Sequence, residues 1–168
     1  MTLIFAILRF VHIIAAILWA GGALAMNFFI APTIGATGDV GKQFAGHLMG
    51  KTRFTPYMMI AGGTAVLAGS LLYGIDSNWF RSAWMMTPTG IGFGIGATSG
   101  ILGFIFGIMF GNANMALAAL GAQIQGKPTP EQMSAIQALQ KRQAMAAKGN
   151  MIFILIAMVL MESSRFFK

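Results

Sequence analysis

Four apolar runs, at about residues 3–31, 56–73, 88–111 and 150–167, dictate what this chain can become. Each is long enough to cross a hydrocarbon layer of about 30 Å as a helix. In that layer a helix is the one single-segment structure that satisfies its own backbone hydrogen bonds. The chain is 57% hydrophobic and 9% charged, against roughly 25% charged residues in a soluble domain. The expected fold is therefore all-α, a four-helix transmembrane bundle that forms one domain over residues 1–168.

The ends of the runs carry local signals. Thr55-Pro56, Thr87-Pro88 and Thr129-Pro130 each pair a threonine N-cap with a proline in the first turn. Gln132 adds a capping box to the last of these. Pro32 is expected to stop the first span. Ala23-Leu24-Ala25 resembles a signal-peptidase site, but no basic residue precedes the run and Arg9 interrupts it, so a retained helix is expected. Between the first two spans, Val40, Phe44 and Leu48 recur every four residues among Lys42, His47 and Lys51. That pattern predicts a short amphipathic helix in the interface. Trp79, Phe80 and Trp84 predict an aromatic belt at the other interface.

Helical character continues beyond the third and fourth spans. Residues 112–125 and 130–148 are alanine-rich arms joined by Gly126-Lys127-Pro128. They predict a helical hairpin extending helices 3 and 4 out of the bilayer by about 20 Å or more at 1.5 Å per residue. Lys42, Lys51, Arg53, Lys127, Lys141, Arg142 and Lys148 lie on the side of this hairpin, against Arg9, Arg81, Arg165 and Lys168 on the other. The bias of basic residues toward the cytoplasm places the hairpin inside and both termini outside.

The first span carries the chemistry. At about 100° per residue, Arg9, His12, Ala16, Trp19, Ala23 and Asn27 share one helical face. An ionisable residue inside a span is costly to bury without a partner, so it marks a functional position. A neutral imidazole at His12 is a ligand for haem iron, copper or zinc, or a hydrogen-bonding group between helices. His47 belongs to the interface, about 27 Å of helix away, too far to grip the same cofactor. A haem on His12 needs a methionine, water or another subunit's histidine opposite. Arg9 and Glu162 are expected at similar depth, as an ion pair or with Arg9 on a propionate or lipid phosphate. The methionines are soft ligands for Cu(I), but no regular methionine ladder is present, and they equally suit packing.

The third span presents Gly92, Gly96, Gly100, Gly103, Gly107 and Gly111 on one side. Such a stripe lets another helix backbone approach closely, with Gly62, Ala65 and Gly69 of the second span as the expected counterpart. The chain has no cysteine, which excludes disulfides, cysteine-ligated iron–sulfur centres and thiol catalysis. With Asp39, Asp76, Glu131 and Glu162 as its only acids, no enzyme motif is recognisable. The basic residues sit at the ends of the apolar runs, where they meet headgroups rather than nucleic acid.

Arg9-Phe10-Val11-His12 with Trp19 and Gly21-Gly22, and the ending Met161-Glu162-Ser163-Ser164-Arg165-Phe166, resemble the first and last helices of small bacterial four-helix membrane proteins. That group includes the membrane domain of copper-resistance protein D and the haem-dependent protoporphyrinogen oxidase. The resemblance implies a bacterial inner-membrane protein with His12 at the haem or metal position. Three functions follow in order. The first is a non-catalytic subunit of a larger membrane complex or homo-oligomer. The second is a haem b- or copper-binding protein acting through His12, Arg9 and Trp19. The third is a small transporter.

Overall fold

The computed structural model describes residues 3–124 and 126–167. Gln125, counted above in a helical arm, and Lys168, counted in the charge balance, lie outside them. Among the described residues every regular element is helical. The main helices are α1 (Leu3–Ala25), α2 (Ala31–Ala36), α3 (Gly38–Gly50), α4 (Phe54–Asp76), α5 (Pro88–Gln123) and α6 (Pro130–Ser163). Four stretches are long and apolar enough to cross a membrane: Leu3–Ala36, Phe54–Asp76, Pro88–Gln123 and Pro130–Phe166. Large apolar side chains such as Ile4, Ile17, Ile60 and Val159 point outward, as a lipid-facing surface requires.

Pro32 does not stop the first helix. A π-helical turn, Met26–Ile30, joins α1 to α2, and Ala31 N–H reaches back five residues to the Met26 carbonyl. Proline lacks an N–H and crowds the carbonyl four residues before it. The wider turn ahead of Pro32 relaxes that conflict and lets the helix run on. Gly38, at φ +58°, then supplies the left-handed corner into α3. Val40 and Phe44 of α3 are exposed, and Lys42 pairs with Asp39 in the first turn at 2.8 Å. The Lys42 ammonium lowers the Asp39 carboxyl below its ordinary range.

The caps agree at two of three positions. Thr87 Oγ1 accepts from Gly90 N–H at 3.1 Å. Thr129 and Gln132 close a reciprocal capping box at 3.2 and 3.0 Å. Thr55 does not cap: α4 begins at Phe54 with Arg53 at the N-cap, and Thr55 donates instead to the Met49 carbonyl at 3.2 Å. That bond ties α4 to the end of α3.

α5 and α6 pack antiparallel along their length. Thr89 bonds Phe167 near one end, Asn150 bonds Gly103 midway, and Gln143 bonds Asn114 toward the other. The glycine stripe of α5 serves this pair, not α4. Added methyl groups would meet Ser164 at Gly92, Met161 and Leu160 at Gly96, Ile154 at Gly103 and Asn150 at Gly107. Gly100 and Gly111 meet no neighbour within 4 Å. On α4, Gly69 receives His12 of α1, the Ala65 carbonyl bonds it, and Gly62 takes both Phe104 of α5 and Trp19 of α1. The physical reason is bulk: Trp19 and His12 are the large side chains on the inner face of α1, and only a notched partner admits them.

Candidate functional site

His12 lies in the notch that Gly69 leaves in α4. Its Nδ1 is 2.8 Å from the Ala65 carbonyl oxygen, 53 residues along the chain. A carbonyl can only accept, so Nδ1 carries the proton, and in the neutral ring Nε2 holds the lone pair. A methyl group on Gly69 would sit 2.7 Å from Cε1 and 2.9 Å from Nδ1, so bare glycine is what leaves room for the ring. Two α4 residues thus fix both the position and the tautomer of His12.

His12 borders a cavity of about 940 Å³ between α1, α4, α5 and α6. Arg9, His12, Ala16 and Trp19 supply the α1 wall. Gly96, Ala97 and Gly100 line it from α5, and Met158 and Met161 from α6. Four charged residues, Arg9, Asp76, Glu162 and Arg165, also border it. Glu162 pairs with Arg165, one helical turn on, and not with Arg9 as expected from depth alone. Contacts three residues apart on one helix form at little entropic cost, which explains why the local partner wins.

Trp84 borders the same cavity, with its ring 5.6 Å from Tyr73 and 6.3 Å from Phe93. Sequence reading placed Trp84 with Trp79 and Phe80 in an interfacial belt. Trp79 and Phe80 are exposed in the loop between the second and third candidate spans, where with Asn78 they form a left-handed turn, at φ 48°, 54° and 67° for Asn78, Trp79 and Phe80. Buried Ser77 holds this turn by accepting from Phe80 N–H at 3.1 Å.

Trp19 is 6% exposed and stands edge-on to Phe104, with ring centres 6.1 Å apart. Gly62 leaves space for both rings. On the far side of Trp19 from His12 is a second, much smaller cavity of about 80 Å³, also bordered by Ala23 and Asn27. The polar stripe of α1 therefore faces two interior spaces in succession, with Trp19 common to both. Sequence reading missed Tyr57, whose hydroxyl donates to the Leu18 carbonyl at 2.8 Å and latches α4 to α1 beside Trp19. It also missed Asn150, 7% exposed, whose amide donates to the Gly103 carbonyl at 2.8 Å.

Among the described residues, no three His, Asp or Glu side chains converge as a metal-ligand set. His47 lies in the last turn of α3, on another element from His12. No family model, curated protein or solved structure matches this chain.

Proposed function

We propose that this is a multi-pass membrane protein that holds a flat, carboxylate-bearing cofactor of the haem class against His12. One observation carries the reading. The hydrogen bond from Nδ1 to Ala65 leaves Nε2 as the coordinating nitrogen on a residue that borders a roomy intramembrane cavity. Metal-ligating histidines characteristically donate their other ring N–H to a carbonyl in this way, which fixes the tautomer and raises ligand basicity.

The other lining residues suit the group. The volume, about 940 Å³, lies in the upper part of the range for pockets that take cofactors, roughly 300–1,000 Å³. Gly96, Ala97 and Gly100 give a flat wall, Met158 and Met161 bring thioethers to the α6 wall, and Arg9 offers a cation to a carboxylate. Bound haem supplies one-electron chemistry. The protein's own part is to orient the imidazole through Ala65 and to shield the group from water with Trp19 and Trp84. The resemblance of the first and last helices to haem- and copper-linked membrane proteins supports the same position for His12.

The length of α5 and α6 favours a second, compatible reading as a subunit of a larger complex. At 36 and 34 residues they run about 50 Å at 1.5 Å per residue, well beyond a 30 Å core. We infer that their joined ends project into the cytoplasm from the inner membrane, with both termini outside, as a surface for neighbouring subunits. The excess of basic residues on that side supports this orientation.

The test is an absorption spectrum, oxidised and dithionite-reduced, of gently purified wild type beside His12→Asn. Asparagine keeps a donor for the Ala65 carbonyl but has no imidazole. A Soret band with reducible α and β bands, lost in the variant, is the expected result. A wild-type protein that stays colourless after haem addition, while folded and monodisperse, would sink the reading.

A further inference from the structure

We propose that residues 78–86 form a strained lid over one end of the large cavity, with Trp84 as its plug, and that this lid opens the space to the aqueous side. The spans α1, α4, α5 and α6 wall the cavity along its sides. Residues 77–87 join α4 to α5, and of these Trp84 alone borders the cavity. Its ring packs 5.6 Å from Tyr73 and 6.3 Å from Phe93, which border the cavity too. One half-buried indole therefore stands between this end of the space and the solvent beyond the loop.

The backbone before the plug is strained. Asn78, Trp79 and Phe80 take φ values of 48°, 54° and 67° in succession. An L-residue at such angles brings its Cβ against the following carbonyl; asparagine tolerates this, whereas bulky residues do so poorly. The chain has 22 glycines, yet it places none at these three positions. A turn that had only to connect two helices would relax with glycine there. Strain kept in this way belongs to segments that switch.

Few contacts hold the strain. Ser77 is fully buried, and its Oγ accepts from Phe80 N–H at 3.1 Å and donates to the Gly74 carbonyl at 3.2 Å. The Ser77 carbonyl accepts from Arg81 N–H at 3.0 Å and Ser82 N–H at 2.9 Å. Trp79 N–H donates to the Gly74 carbonyl at 2.6 Å, and its ring lies over Gly74, where a methyl would sit 3.1 Å from it. Residues 78–80 are themselves exposed. Ser77 is thus the latch and Trp84 the plug, opposed by a backbone that relaxes when both let go. Opposing terms of this kind make an element with two states.

The lid concerns access to the cavity, so it stands or falls apart from what occupies it. The chain has no cysteine, and a single introduced thiol therefore reports alone. Ala97→Cys places it on the α5 wall of the large cavity, and Ala147→Cys places it beside the small one. The full chain in detergent, with no cofactor added, is treated with a charged, water-soluble maleimide, and labelling is followed by mass. Each reporter is measured alone, with Ser77→Ala and with Trp84→Ala. If Ser77→Ala fails to fold, Trp84→Ala carries the test.

The expected result is slow labelling of Ala97→Cys alone and labelling about tenfold faster with either folded lid variant, the size expected when one buried hydrogen bond no longer holds the closed state. Ala147→Cys keeps its rate throughout. Three results overturn the proposal. Ala97→Cys alone reacts as fast as free cysteine, which would mean that the space stands open. Neither folded lid variant accelerates it, which would make the loop a plain connection. Ala147→Cys accelerates equally, which would mean that the whole bundle has loosened.

Discussion

The imidazole Nδ1 of His12 and the carbonyl oxygen of Ala65 are 2.8 Å apart, joining the first and second membrane-crossing helices. The bond has a structural consequence whatever the ring also binds. Interhelical hydrogen bonds in membranes contribute about 0.6 kcal/mol on average and up to about 1.7 kcal/mol. His12→Leu should lose an amount in that range in reversible unfolding in detergent, and His12→Asn should lose less. Equal losses would mean that the bond contributes nothing and that only the ring's packing matters.

Gly69→Ala tests the notch itself. The new methyl would lie under 3 Å from two atoms of the imidazole, so the ring must move off Ala65. A destabilisation of about 1–3 kcal/mol is expected for such overpacking. It should be accompanied by loss of any His12-dependent colour. An unshifted histidine ring NMR signal in Gly69→Ala would argue against the arrangement.

Gly100 and Gly103 should respond differently, although both belong to one stripe. Gly103 faces Ile154 and Phe153 at 3.4–3.5 Å, whereas Gly100 meets nothing within 4 Å and borders the large cavity. Gly103→Leu should destabilise by about 1–3 kcal/mol by forcing α5 from α6. Gly100→Leu should leave stability within about 0.5 kcal/mol while filling part of the cavity and weakening whatever binds there. Thermal unfolding of the two variants in one detergent separates them.

Asn150 bonds the Gly103 carbonyl from α6. Asn150→Leu removes a buried polar link and adds bulk beside Gly107, so a loss of about 1–2 kcal/mol is expected. Hydrogen exchange should rise on α5 and α6 before it rises on α1 and α4. Uniform acceleration across all four helices would contradict this order.

Asp39 gives a pH-dependent test outside the membrane. Its folded-state carboxyl titrates below the unfolded value because Lys42 stabilises the anion. The contribution is therefore present above the unfolded value and lost as pH falls through the folded one. Both side chains are largely exposed, so the effect is small and screened by salt. The stability difference between wild type and Asp39→Asn should be detectable near neutral pH in dilute buffer and vanish near pH ~2. A difference that persists in acid would trace to something other than the carboxylate.

Signals spanning a few residues were the readable ones. Thr87 and Thr129 cap their helices because a hydroxyl oxygen and the backbone N–H that donates to it lie within one turn. The α1 stripe was legible for a similar reason, since helical period alone sets which side chains share a face. Pro32 misled because a single extra residue in the preceding turn cancels its steric conflict, and nothing in the letters marks a π turn. The partner of the glycine stripe was not legible, because a smooth face says only that something packs closely. The pairing of Glu162 was local, with Arg165, where depth in the membrane had suggested Arg9.

Trp19 borders both cavities, Trp84 borders the larger one, and Trp79 lies in the turn after α4. The protein thereby contains its own optical gauge. With Trp79 and Trp84 replaced by phenylalanine, the remaining indole emits from the layer between the two spaces. A haem in the large cavity would quench it by energy transfer. A single fluorescence titration of the purified double variant would then report whether the large space is filled.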